Sequence, residues 1–314
     1  MRLRDRVEAY IDYKRSLGMR FVSDAAVLRS FCRAMGDIAI EEVKAETVLA
    51  FIAGTGPVTT RWRLKFYILR GFYRYAQDRG FISESPLPTQ VPKFPPTLTP
   101  YIYSVHDLKR LVAVTDTLQT HQSPLRASTM RSLLLLLYGT GMRIGEALSL
   151  TLQDVDLAEC LLTVHNTKFF KTRWVPIGPR LTTVLTDYRS RRCQLPLPVG
   201  ETSAFLATRT GLRMDYRVVN QLFCRLRQVA EIRRESSARY PPRLHDIRHT
   251  AAVHRVVAWY RAGADVQRLL PQLATYLGHV DLRSTQRYLR MTPELLAAAS
   301  QRFEDYAQPE VRHA

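Results

Sequence analysis

The chain has 314 residues, 46% of them hydrophobic, which allows two domains with cores of their own and excludes a disordered charged tail. Lysine and arginine outnumber aspartate and glutamate by 46 to 28, a formal net charge of +18 that calls for a polyanionic partner, of which nucleic acid is the usual one. Four scattered cysteines without a Cys-x-x-Cys pair suggest neither a zinc site nor a disulfide framework, and the charged N-terminus MRLRDRVEAYIDYK and a longest apolar run of only Leu133 to Tyr138 suggest a soluble cytoplasmic protein without a membrane segment.

Four amphipathic helical stretches come first. They cover Arg4 to Leu17, Asp24 to Met35, Lys44 to Ala53 and Thr59 to Asp78. The last sets Trp62, Phe66, Leu69 and Tyr73 near one face at helical spacing, while Arg61, Arg63, Lys65, Arg70 and Arg74 fill much of the remainder. Such cations suit a solvated face and a phosphate backbone equally well. Residues 83–100, SESPLPTQVPKFPPTLTP, then hold six prolines and no periodic pattern, so an extended connector is expected there. The resulting domains are 1–82, the 83–100 linker and 101–314.

Past the linker, Ser104-Val105-His106-Asp107 begins a helix and Ser128 to Tyr138 forms a buried one. The glycine turn Gly139-Thr140-Gly141 leads into a helix from Ile144 to Leu150. Two short strands, Cys160 to Val164 and Arg173 to Ile177, flank Asn166 to Thr172. Helices follow at Tyr216 to Ala230, Leu244 to Tyr260, Pro271 to Leu277, Ser284 to Arg290 and Pro293 to Tyr306. The fold class is therefore mainly α: an N-terminal helical domain and a mostly helical second domain with a small antiparallel β-sheet.

Reactive side chains concentrate in the second domain. Arg143 lies where the glycine turn enters a helix, with Glu146 three residues on as an ion-pair partner. His245 and Arg248 lie three apart in LHDIRHTAA, so a helix there sets them one turn apart. His279 follows the helix-ending Gly278, and Tyr288 comes nine residues later in STQRYLR. Two permanent cations, two imidazoles and a phenol can hold a phosphodiester and attack it without a metal or an organic cofactor. A free phenol has a pKa near 10, so it needs cations around it. Tyr276 and Tyr306 are alternative phenols at other distances from Gly278-His279.

The ordered series GTGMRIGEALSL, VHNTKFFKTRWVPIG, LHDIRHTAA, LGHV and STQRYLR resembles the tyrosine recombinases, also called phage integrases, over roughly residues 104–308. The helical N-terminal part resembles that family's SAM-like core-binding domain. The resemblance implies that Arg143 and Arg248 clamp the scissile phosphate, that His245 assists proton transfer, that His279 hydrogen-bonds the phosphate and that Tyr288 is the nucleophile. It also implies a lysine that protonates the departing 5′ oxygen. Aligning Val175-Pro176-Ile177-Gly178 with the family's ending places this role on Lys168, with Lys171 as rival. The family usually has glycine around that lysine, whereas Phe169 and Phe170 stand here.

The implied partners are double-stranded DNA, a homo-oligomer acting as a tetramer on two DNA sites, and partner recombinases. The amphipathic segment TPELLAAASQRFEDYA, with Leu295, Leu296, Ala299 and Phe303 on one side, would dock on a neighbouring protomer. Integration, excision or transposition of a mobile element is the expected setting. Two other readings are a type IB topoisomerase, which uses nearly the same pocket, and a catalytically silent DNA-binding accessory protein.

Overall fold

A computed structural model describes residues 2–56, 58–93, 99–165, 172–234, 240–278, 297 and 300–301. The chain divides into two compact units, Met1–Leu98 and Thr99–Ala314.

Among the described residues the first unit holds four α-helices: α1 (Leu3–Ser16), α2 (Val22–Met35), α3 (Ala45–Ala53) and α4 (Thr60–Asp78). Each has a single apolar stripe and must bury it against the others. Leu3, Val7 and Ile11 of α1 meet Leu28 and Phe31 of α2, Val48 and Ile52 of α3, and Trp62, Phe66, Leu69, Phe72 and Tyr73 of α4 in one core. The expected face of α4 is thus the buried one. Arg61, Arg63, Arg70 and Arg74 are exposed on the opposite side, whereas Lys65 folds back to donate its ammonium to the Phe51 carbonyl.

The second unit is built around α6 (Arg126–Thr140), whose Met130, Leu133, Leu134, Leu136 and Leu137 are all buried. Its apolar residues are not confined to one stripe, and Arg131 is its one exposed side chain, as suits a helix that lies mostly inside. The helix packs against α8 (Pro179–Cys193) and α10 (Asp246–Arg261), and the unit also holds α5 (Val105–Ala113), α7 (Ile144–Ser149), α9 (Tyr216–Val229) and α11 (Val266–Leu277). Ser104 caps α5, its hydroxyl accepting from the Asp107 N–H while the Asp107 carboxylate accepts from the Ser104 N–H. The sheet is antiparallel in the order β1 (Val155–Asp156), β2 (Leu161–Val164), β3 (Arg173–Pro176). Pairing of Val164 with Arg173 and of Leu162 with Val175 sets the register at which the chain enters and leaves the 165–172 connection.

Three features depart from expectation. Helix α8 has no counterpart in the periodic reading: its threonines and arginines dilute the apolar pattern, although Gly178-Pro179 is a helix-start signal and Leu185 and Tyr188 are buried. Strand β1, only two residues long, shows no alternation to read. Helix α11 begins at Val266 rather than Pro271, because Asp265 caps it by accepting from the Arg268 N–H and Pro271 removes only one backbone bond. The expected helices at 284–290 and 293–306 lie outside the described residues save for positions 297, 300 and 301, which are helical.

Both cores are close-packed, so truncation should be costly and position-dependent. Phe72→Ala in the first unit should destabilise by about 3–5 kcal/mol and Leu136→Ala in the second by about 2–5 kcal/mol, whereas Arg70→Ala should stay within about 0.5 kcal/mol. Urea unfolding of the three variants checks this, and a core variant as stable as the parent would contradict the packing.

Candidate active site

Helix α6 ends at Gly141, whose φ of +62° is a left-handed conformation that glycine adopts without strain. A Cβ there would come within 2.6 Å of Leu277 Cδ2, so the turn is pressed directly onto the end of α11. Two residues on, Arg143 opens α7. Its backbone N–H donates to Glu146 Oε2 at 2.9 Å, its Nη1 to Glu146 Oε1 at 2.8 Å and its Nη2 to the Gly278 carbonyl at 3.0 Å. The side chain remains 35% exposed, so the ion pair orients the guanidinium without enclosing it.

Arg248, in the first turn of α10, is only 2% exposed. Its Nη1 donates to the Gly141 carbonyl at 2.6 Å and its Nη2 to the Leu277 carbonyl at 2.8 Å. The last carbonyls of a helix have no partner within it and carry the negative end of the helix dipole. At the end of α11 those acceptors are met by two guanidinium groups, one from each expected arginine. The two cations, 105 positions apart in sequence, are thereby brought to one place.

Glu146 is the carboxylate of this assembly and was expected only as the partner of Arg143. It also accepts both terminal nitrogens of Arg173, at 3.1 Å to Oε1 and 2.8 Å to Oε2. Burial alone would raise the Glu146 pKa, but hydrogen bonds and charge from Arg173 and Arg143 outweigh it and bring the group down to about 2. It is therefore ionised at any working pH. Arg173 was not singled out in the sequence. One signal was present: it shares a strand face with buried Val175, and an inward-pointing cation needs an anion.

His245 stands immediately before α10 with an exposed edge. Loss of water on its protein side, then the charges of Arg248 and Arg243, push its pKa below the ordinary histidine value of 6.5, and Arg143 adds to the effect. The ring meets that of buried His249 edge-on, with centroids 5.2 Å apart. His249, which sequence reasoning did not select, is held neutral by burial and by His245, with a pKa pushed down to about 3. The start of α10 is fixed by buried Asp246, which accepts the Arg243 N–H at 2.9 Å and Arg243 Nη2 at 2.7 Å. At neutral pH His245 is thus an uncharged imidazole beside fixed cations, able to accept a proton.

The structure brings together Arg143, Arg248 and His245. Lys168 with its rival Lys171, His279 and Tyr288 lie outside the described residues. Lys168 belongs to the connection between β2 and β3, and His279 follows Gly278 directly. Tyr276, an alternative phenol, donates its hydroxyl to the Pro176 carbonyl, and burial raises its pKa. Among the described residues no three His, Cys, Asp or Glu side chains gather as metal ligands, and no helix is long and apolar enough to cross a membrane.

Residues 104–294 match the model of the phage integrase family. A Sinorhizobium fredii protein named as the integrase/recombinase y4rB is 33% identical over 304 residues, covering 96% of this chain and 96% of the relative. The tyrosine recombinase XerC of Bacillus subtilis is 27% identical over 291 residues, covering 91% of this chain and 89% of the relative. Among solved structures, the Tn1549 transposon integrase in complex with transposon right end DNA superposes with a TM-score of 0.70 at 16% identity, covering 98% of this chain and all of that one, a likeness of fold. These relatives are integrases and recombinases, and the topoisomerase reading gains nothing from them. With a family match over most of its length and relatives aligned nearly end to end, the chain belongs to the phage integrase family, the tyrosine recombinases.

Proposed function

We propose that this protein cuts and rejoins double-stranded DNA at specific sites, with Tyr288 as nucleophile. The observation that supports this most is the convergence of guanidinium groups at the end of α11, where Arg143 and Arg248 hold the carbonyls of Gly278 and Leu277 directly before His279. One carboxylate, Glu146, serves two guanidiniums there, and Arg248 adds a third cation on carbonyl acceptors. A positive site of this kind suits a phosphodiester and the additional charge of its transition state.

In the proposed reaction the Tyr288 oxygen attacks the scissile phosphorus. The Tyr–O–P bond forms as the P–O5′ bond breaks, leaving a 3′-phosphotyrosyl link and a free 5′ end. The tyrosine proton passes to His245, and Lys168 supplies a proton to the departing 5′ oxygen. Rejoining reverses these steps with a 5′-hydroxyl from a second duplex. One ester replaces another, so the bond energy is conserved and no nucleotide hydrolysis is required. Arg143 keeps an exposed side toward solvent and is the better placed of the two arginines to meet a phosphate in this conformation. Arg248 is braced on the Gly141 and Leu277 carbonyls and adds its permanent charge to the same site. The protein would act as a tetramer on two sites in the cytoplasm, where its DNA is accessible.

On a suicide duplex nicked next to the cleavage position, the wild type should form a covalent protein–DNA adduct visible on a denaturing gel. Tyr288→Phe should form none, and Arg143→Ala should slow its formation about a hundredfold or more. An adduct that persists in Tyr288→Phe removes the nucleophile assignment. The pH dependence carries its own sign: protonation disables His245 as proton acceptor, so adduct formation at limiting protein should fall as pH drops through a value below 6.5 and stay level above it. Replacing His245 by Gln should lower the rate and erase that limb; a limb unchanged in the variant assigns it to another group.

A further inference from the structure

The bidentate bond between Arg173 and Glu146 crosses from strand β3 to the first turn of α7, two segments that share no local sequence. Glu146 uses the same two oxygens to fix Arg143, with Oε1 on its Nη1 and Oε2 on its backbone N–H. A carboxylate holding a single guanidinium could swing about its own side-chain torsions. A carboxylate clamped by a second, nearly buried guanidinium in planar two-point contact cannot, and the Arg173 side chain is only 13% exposed.

Arg173 also forms the floor beneath Gly278. A Cβ at Gly278 would stand 2.6 Å from Arg173 Nη1 and 2.8 Å from its Cζ, and the residue has a φ of +71°. Arg143 grips the same glycine from its carbonyl. Two guanidiniums joined through one carboxylate therefore enclose the residue at which the chain leaves α11 toward His279.

From this geometry we propose that Arg173 is a positioning residue for DNA cleavage. Acting through Glu146, it sets the direction of the Arg143 guanidinium toward the scissile phosphate without touching the phosphate itself. The proposal rests on the recombinase reading above, and it makes Arg173, rather than the Arg143–Glu146 pair alone, the element that fixes the clamp. Lysine is no substitute, because one ammonium cannot hold both carboxylate oxygens in the planar fork.

The test compares adduct formation by wild type, Arg173→Gln, Arg173→Lys, Glu146→Gln and the Glu146→Gln/Arg173→Gln double variant, each corrected for its folded fraction, with DNA binding measured by gel shift. Arg173→Gln should bind DNA as wild type does and cleave about ten- to a hundredfold more slowly, since a small misplacement of a catalytic group costs rates of this order. Arg173→Lys should recover only part of the loss and keeps the test open should the glutamine variant fold poorly. In the Glu146→Gln background, removing Arg173 should cost nothing more, because the route through the carboxylate is already broken.

Two altered substrates then read the route itself. A methylphosphonate at the scissile position removes one phosphate charge and with it much of the need for Arg143, so the Arg173→Gln deficit should shrink there. A 5′-bridging phosphorothiolate, whose sulfur leaves without protonation, should leave the deficit as it is. Wild-type cleavage by Arg173→Gln overturns the proposal, as does relief by the phosphorothiolate instead of the methylphosphonate, which would place Arg173 behind the leaving-group proton. Failure of the wild type to form any adduct refutes the recombinase reading itself and is distinguishable from both.

Discussion

The second unit depends on how the end of helix α11 is satisfied. Its final carbonyls have no donors within the helix, and the chain around them is closely packed: Leu277 is buried and Gly141 lies against its methyl group. Arginine resolves this because one planar group carries several donors and a permanent charge that suits the negative end of a helix. Arg248 supplies the bond to Leu277 and reaches back to Gly141, and Arg143 supplies the bond to Gly278. The α6 turn, the start of α7, the start of α10 and the end of α11 are held together by two side chains.

That arrangement has an electrostatic consequence. Several cations close together repel one another, and a carboxylate at their centre relieves the strain of placing them so. Glu146 does this for Arg143 and Arg173, and its pKa near 2 records how strongly the two guanidiniums hold it ionised. Removing one partner of such a buried group usually costs more than the pair contributes, because the charge left behind has no replacement for water. Burial, and then the charges of Arg248, Arg243 and Arg143, hold the His245 pKa below the ordinary histidine value. Stability and chemistry therefore draw on one set of charges: what joins the elements also makes the place attractive to a phosphate.

Much of this was legible along the chain, and the reasons differ by element. The apolar stripe of α4 and the helix start at Ser104 to Asp107 are local patterns, and both form as read. The pairing of Arg143 with Glu146 follows from three-residue spacing in a helix. Helix α8 escaped because threonine and arginine blur its apolar face, and the start of α11 escaped because Pro271 suggests a beginning rather than an interior position. The bond from Arg173 to Glu146 spans 27 positions and that from Arg248 to Gly141 spans 107, and no spacing rule reaches so far. Lys168, His279 and Tyr288 rest on the order of motifs, since they lie outside the described residues.

Sequence by itself determined the mainly helical class, the basic character, the family and the identity of the candidate residues. Each of these is written in local periodicity, composition or motif order, which survive without knowledge of what packs where. Only the tertiary structure decided that Arg248 is buried on two carbonyls while Arg143 keeps an open side, that one carboxylate joins Arg143 to Arg173, and that Gly278 is enclosed between them. The physical reason is that a guanidinium has five donors and no fixed partner. Which acceptors it takes is settled by the helix ends that folding brings within about 3 Å of it, and those lie far off in sequence.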